Sequence, residues 1–215
     1  EDEANLPIRP MTGLIIEGAA RRTDGSAATP AEVVWGGRAA NTPQLFDLSG
    51  CHQMVFRNVN FRNDDTAASA TPRHHTLATI DAKDGSGNLT HDILFENVSL
   101  FGPAHGFLYV NDDISGAGQT GFDRVTLRNC VALGLTDFAI WCDDSTYCTS
   151  LTVEGCKFVV RAYDAATPRE LTTDGYAVIQ HSGSRADHFA IKDSYLQGGY
   201  KGIYLGAGTH QMSML

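Results

Sequence analysis

Met54-Val55-Phe56-Arg57-Asn58-Val59-Asn60-Phe61 is the stretch that decides the fold, because its pattern recurs along the chain. Apolar and polar residues alternate, a charged residue follows, and an asparagine or a small residue leads into further apolar positions. Alternation with a period of two is typical of a β-strand with one buried face. The copies cover residues 14–18, 54–61, 93–100, 125–130, 151–158 and 189–196.

The charged residues that should face outward alternate in sign from copy to copy. They are Glu17, Arg57, Glu96, Arg128, Glu154 and Lys192. Equivalent residues of neighbouring parallel strands stack about 4.8 Å apart, where opposite charges attract and like charges repel. The alternation therefore predicts that the copies stack in register. The same register predicts one buried column, made of Phe56, Phe95, Leu127, Val153 and Ile191.

A second apolar segment follows each copy, with no helical pattern between. These segments cover residues 45–48, 77–80, 107–110, 138–141, 176–179 and 202–205. Such repeats predict an all-β fold, a right-handed parallel β-helix (a single-stranded solenoid) of about six coils. Two strands per repeat with no helical segment between them argue against a leucine-rich horseshoe. The antiparallel blades of a propeller should not give the alternation of charge between repeats. Asn58, Asn97 and Asn129 fall at the bend between strands, where asparagine tolerates left-handed backbone and can hydrogen-bond along a stack.

We expect residues 1–215 to form one β-helix domain that is truncated at its C-terminal end. The segment His210-Gln211-Met212-Ser213-Met214 repeats residues 52–56, so the chain should begin another coil just before Leu215. An open coil would expose an unpaired strand edge, and we therefore expect the natural chain to be longer.

Composition narrows the class of partner. The net charge of −9 disfavours nucleic acid, which prefers a basic surface. The chain contains no run of eighteen apolar residues, and we therefore expect no membrane span. Cys130 and Cys156 are predicted to be packed thiols in one inward column. Cys142 and Cys148 bracket a short turn, where a local disulfide would suit an exported protein.

The polar residues that follow the second apolar segments are the main candidates for a functional site. Aligning these segments places Asp112-Asp113, Asp143-Asp144 and His181-Ser182 on successive coils, with Lys83 on the coil before. Carboxylates about 5 Å apart raise one another's pKa and supply the acid and base of a glycosidase. Calcium is an alternative occupant, with Asp112 and Asp143 as ligands. In a third interpretation these aspartates only terminate strands and make turns.

The repeated coils, the asparagine column and the opening segment 13–18 resemble the pectate-lyase-like superfamily of right-handed β-helices. The resemblance implies an extracellular, virion or cell-surface location and, in many members, action on polysaccharides. It covers nearly the whole chain but is architectural, and fold alone does not assign chemistry. The polygalacturonase motifs occur here in the wrong order, since Thr173-Asp174-Gly175 follows both acidic pairs and His105-Gly106 precedes them. No catalytic role is therefore carried over.

Two functions fit these observations. In the first, the protein binds and hydrolyses a polysaccharide along the helix side, with Asp112, Asp113, Asp143 and Asp144 as acid and base and with His181 and Lys83 holding the sugar. A hydrolase fits better than a lyase, which would need more Arg and Lys for uronates. No cofactor is expected apart from calcium, and loops 62–75 and 159–175 would wall the groove. In the second, the coils are a structural or adhesive module of a spike or fibre, which could assemble as a homo-oligomer through missing regions.

Overall fold

The described segments are built from parallel β-strands. The computed structural model describes residues 12–18, 31–35, 44–63, 76–80, 90–102, 104, 106–110, 121–135, 137–142, 146–160, 177–181, 188–198, 201–206 and 212–214. Within these ranges every regular element is a strand. No helix there is long and apolar enough to cross a membrane.

The strands form three parallel sheets. The first sheet contains, in spatial order, β1 (Ile15–Glu17), β4 (His52–Arg57), β7 (Thr90–Glu96), β10 (Gly121–Arg128), β14 (Ser150–Glu154), β17 (His188–Lys192) and β20 (Met212–Met214), with β13 (Tyr147–Cys148) also beside β10. The second contains β2 (Ala31–Trp35), β5 (Val59–Asn63), β8 (Ser99–Phe101), β11 (Val131–Leu135), β15 (Lys157–Val160) and β18 (Tyr195–Gln197). The third contains β3 (Gln44–Asp47), β6 (Thr76–Ile80), β9 (Gly106–Val110), β12 (Ile140–Cys142), β16 (Ala177–His181) and β19 (Lys201–Leu205).

The chain visits the first, second and third sheets in turn, which makes a right-handed parallel β-helix of about six coils and confirms the predicted fold. Each coil has three strands, because the repeated sequence unit itself holds two strands separated by the asparagine bend. β20 begins a further turn. Met212 is the Cα partner of Phe189, as the repeat of residues 52–56 predicted.

The predicted charge column is confirmed. Cα pairing joins Glu17 to Arg57, Arg57 to Glu96, Glu96 to Arg128, Arg128 to Glu154 and Glu154 to Lys192. Arg57 Nε lies 2.9 Å from Glu96 Oε2, and Arg128 Nε lies 3.4 Å from Glu154 Oε2. Opposite charges thus follow one another along the outer face of the first sheet.

The inward column opposite these charges forms the centre of the core. Phe56, Phe95, Leu127 and Val153 are fully buried and Ile191 is 8% exposed, as predicted. The rings of Phe56 and Phe95 stack with centroids 4.8 Å apart, and Phe107 of the third sheet meets Phe95 edge-on at 5.3 Å. The three sheets therefore close around one stack of apolar side chains.

Two columns of left-handed residues shape the first sheet. The first is the predicted bend, where Asn58, Asn97 and Asn129 have φ of 54°, 52° and 52°, and Asn97 Nδ2 donates to Asn58 Oδ1 over 3.0 Å. The second was not predicted: Asp92 and Arg124 also have positive φ, inside β7 and β10. Their side chains leave the alternation of the strand, while the Cα pairing on either side keeps its register.

The cysteines are buried thiols. Cys130 and Cys156 lie in the predicted inward column, where their Sγ atoms donate to the carbonyls of Phe95 and Leu127, each over 3.4 Å. Burial raises the pKa of the Cys130 thiol. Cys142 lies in β12 of the third sheet, whereas Cys148 lies in β13 beside β10 of the first sheet. Both are free thiols, so the local disulfide considered from the sequence is not formed.

Candidate functional site

Most of the predicted site residues lie outside the described segments. These are Asp112, Asp113, Asp143, Asp144 and Lys83. His181 is the last residue of β16, and only its backbone is described. The roles assigned to these residues therefore stay predictions, and so does the calcium site.

The ends of the third-sheet strands correct the predicted alignment by one residue. Val110 pairs with Cys142, and Cys142 pairs with His181. His181 therefore shares a register position with two buried residues rather than with Asp143.

The physical reason for this error is that β6, β9 and β16 each contain consecutive buried residues on both faces. All five residues of β6 are buried, and Phe107 and Leu108 are both buried in β9. A strand that is apolar on both faces shows no alternation, and a slip of one residue then goes undetected.

The predicted walls, residues 62–75 and 159–175, and the acidic segments lie largely outside the described residues. In chain order, residues 64–75 and 161–176 each come between a second-sheet strand and a third-sheet strand, whereas the segments that begin at residues 111 and 143 follow β9 and β12. The structure describes the outward face of the third sheet itself.

That face carries a row of aromatic side chains, which we call the aromatic row. It consists of Tyr109, Trp141 and Tyr204, with Gln180 between the last two, and all four are neighbours in register. Tyr109, Trp141 and Gln180 are half-buried, while Tyr204 is 38% exposed. Each of these four side chains is thus partly exposed, on successive coils.

Phe138 packs against two members of the aromatic row, Tyr109 and Trp141. Its ring centroid lies 5.4 Å from that of Trp141 and 5.9 Å from that of Tyr109, and the Tyr109 and Trp141 rings meet edge-on at 6.2 Å. A Cβ at Gly106 would approach the Phe138 ring to 2.0 Å. Glycine at position 106 therefore makes room for this ring, and the cluster is fixed before any ligand arrives.

A lysine accompanies the exposed end of the row. Lys201 Nζ lies 4.3 Å from the centroid of the Tyr204 ring, within the range of a cation–π contact. The polar side chain of Gln180 lies between Trp141 and Tyr204 in register. Together these side chains combine flat apolar surface with hydrogen-bonding groups, which is the composition of a binding face for an amphipathic ligand.

The aromatic row was missed at the level of sequence. Tyr109 and Trp141 lie inside the apolar segments that were recognised, but without the register they could not be assigned to the outer face. Alignment on Ile140 and Leu108, which are both buried Cα partners, would have found the row.

Within the part of the chain that the structure describes, no group of three or more His, Cys, Asp or Glu residues is arranged to hold a metal ion. Comparison with protein-family models, with curated proteins and with solved structures found no match.

Proposed function

We propose that this protein binds a polysaccharide across the outward face of the third sheet and hydrolyses it with Asp112, Asp113, Asp143 and Asp144. The observation that supports this most is the aromatic row, because rigid rings with polar tips suit a sugar, which has an apolar face and a rim of hydroxyls. A β-helix also repeats its surface at every coil, as a polymer repeats its units. We extend the proposal to membership of the pectate-lyase-like superfamily and to an extracellular, virion or cell-surface location.

The charge of the protein favours a neutral polysaccharide. The net charge of −9 repels a polyuronate at long range. Lys201 is the cation in contact with Tyr204, and a lyase acting on uronates would call for more such groups. Hydrolysis of a neutral chain therefore remains the better proposal.

The chemical step would use carboxyl groups of the Asp112-Asp113 and Asp143-Asp144 segments. One would protonate the leaving oxygen and the other would act as nucleophile or as base towards water, with His181 and Lys83 holding the sugar. Carboxyls about 5 Å apart would give retention of configuration, and carboxyls about 6.5–9.5 Å apart would give inversion.

Binding is tested by affinity electrophoresis in gels that contain starch, galactomannan, xylan or mixed-linkage β-glucan, with polygalacturonate as the anionic comparison. We expect wild type to be retarded by at least one neutral polymer and Trp141→Ala to bind it at least about tenfold more weakly, which corresponds to about 1.4 kcal/mol. Tyr195→Ala is the matched control, because Tyr195 is 54% exposed on the second sheet. Equal loss in both variants, or no retardation of wild type by any polymer, would refute the proposal.

Catalysis is tested on the polymer that binds, by the release of reducing ends. Asp143→Asn should abolish release while binding and the melting temperature stay near those of wild type. A much lower melting temperature together with the loss of bound calcium would identify a structural metal site instead.

The structural-module alternative is supported by the charge column and the continuous core, which suit a stiff spacer. It predicts that Trp141→Ala and Asp143→Asn change neither binding nor activity. The two variants therefore separate an enzyme, a binding module and a spacer.

A further inference from the structure

A second polar cluster lies on the outer face of the first sheet, at the start of its strands. His91 Nδ1 lies 2.9 Å from Asp92 Oδ2, and Arg124 donates to both oxygens of Asp92, from Nε over 2.6 Å and from Nη2 over 3.0 Å. Arg124 also contacts Asp123, whose carboxylate accepts from Thr149 Oγ1 over 2.6 Å. The left-handed backbone at Asp92 and Arg124 is what brings their side chains together.

A second imidazole completes the cluster. The rings of His52 and His91 lie with centroids 3.9 Å apart and planes tilted by 31°, and the two residues are Cα partners on adjacent coils. His91 is 33% exposed, so water can reach its ring. A carboxylate on Nδ1 fixes the proton there, which leaves Nε2 as the basic nitrogen.

The protonation state of the carboxylates decides which reaction this cluster can catalyse. The Arg124 guanidinium, followed by His91, lowers the pKa of Asp92 to about 2. Asp92 is therefore ionised at neutral pH and cannot supply the proton that breaking a glycosidic bond requires. The nearby Asp123 and Asp92 also repel a phosphodiester. A neutral substrate attacked by water suits the cluster better.

We propose that His91 is the general base of a second site that hydrolyses small neutral carboxylic esters, with Asp92 and Arg124 as positioning residues. His91 Nε2 takes a proton from water while the water oxygen bonds to the carbonyl carbon. The tetrahedral intermediate then breaks its bond to the alkoxy oxygen, and the imidazolium returns the proton to that oxygen. The products are the carboxylic acid and the alcohol, and Nε2 is regenerated.

The test measures the saturable hydrolysis of p-nitrophenyl acetate. His91→Gln should lower kcat/KM by at least about 100-fold, in line with the loss of a general base. His188→Gln is the control, because His188 is exposed on the same sheet. Wild-type activity equal to that of His91→Gln, or an equal loss in His188→Gln, would overturn the proposal.

Two further variants separate catalysis from folding. His91→Ala should regain saturable activity on addition of imidazole, above the rate that imidazole gives without protein, which a folding defect would not allow. Asp92→Asn should lose the proton NMR signal of His91 Nδ1–H together with most of kcat, whereas Asp92→Glu should restore both. Retention of full kcat by Asp92→Asn would contradict the positioning role.

Discussion

Asp92 shows how one side chain in a left-handed position links neighbouring coils. It accepts from Arg124 on the next coil and contacts the ring of His91 on its own strand. The alternation of the strand gives no hint of this link, because the left-handed backbone at Asp92 and Arg124 takes both side chains out of the period of two.

The ion pair of Asp92 predicts a pH dependence of stability. Arg124 and His91 lower the folded-state pKa of Asp92 from 3.8 to about 2. Since the folded state holds the proton less tightly, the stabilisation is complete above about pH 4 and is lost as the pH falls towards 2. Urea denaturation between pH 5 and 2 should show a shallower loss of stability for Asp92→Asn than for wild type. Parallel curves would contradict this assignment.

The strands of the first sheet differ from those of the third in what their sequence reveals. First-sheet strands are buried on one face, so their alternation fixed the register, and the charge column checked it. Several third-sheet strands begin with consecutive buried residues, which hid the aromatic row and shifted the predicted alignment of the strand ends by one residue. The overall fold could therefore be predicted from the sequence. The candidate site could not, because it depends on the register of the third sheet, which buried strands without alternation do not reveal.

The charge column predicts coupling between adjacent coils. Arg57→Glu would place a carboxylate between Glu17 and Glu96 and should lower the free energy of unfolding by about 0.5–1 kcal/mol, as expected for exposed pairs. Adding Glu96→Arg should recover part of that loss in a double-mutant cycle measured by urea denaturation. Strictly additive effects would mean that these side chains do not interact.

The buried column predicts a larger effect from a single truncation. Phe95 is fully buried between Phe56 and Phe107, so Phe95→Ala should cost roughly 3–5 kcal/mol of unfolding free energy. Leu94→Ala on the same strand is the control, because Leu94 faces outward and is half-buried, and should cost about 1 kcal/mol or less. Equal costs would contradict the assigned faces.

At the scale of the whole molecule, three stacked sheets present three different outer faces. The first carries the charge column and the His91–Asp92–Arg124 cluster, and the third carries the aromatic row. The proposed polysaccharide site and the proposed ester site therefore lie on separate faces. Either proposal can be refuted without affecting the other. Trp141→Ala should leave p-nitrophenyl acetate hydrolysis unchanged, and His91→Gln should leave polysaccharide binding unchanged.

Hydroxyl-radical footprinting with and without a saturating amount of the bound polysaccharide tests most directly whether the third sheet is the binding face. We predict that oxidation of Trp141, Tyr109 and Tyr204 falls when the polymer is bound, because the sugar covers the aromatic row. Tyr195 on the second sheet should be oxidised equally in both states. Protection of Tyr195 without protection of the aromatic row, at saturation, would contradict the account.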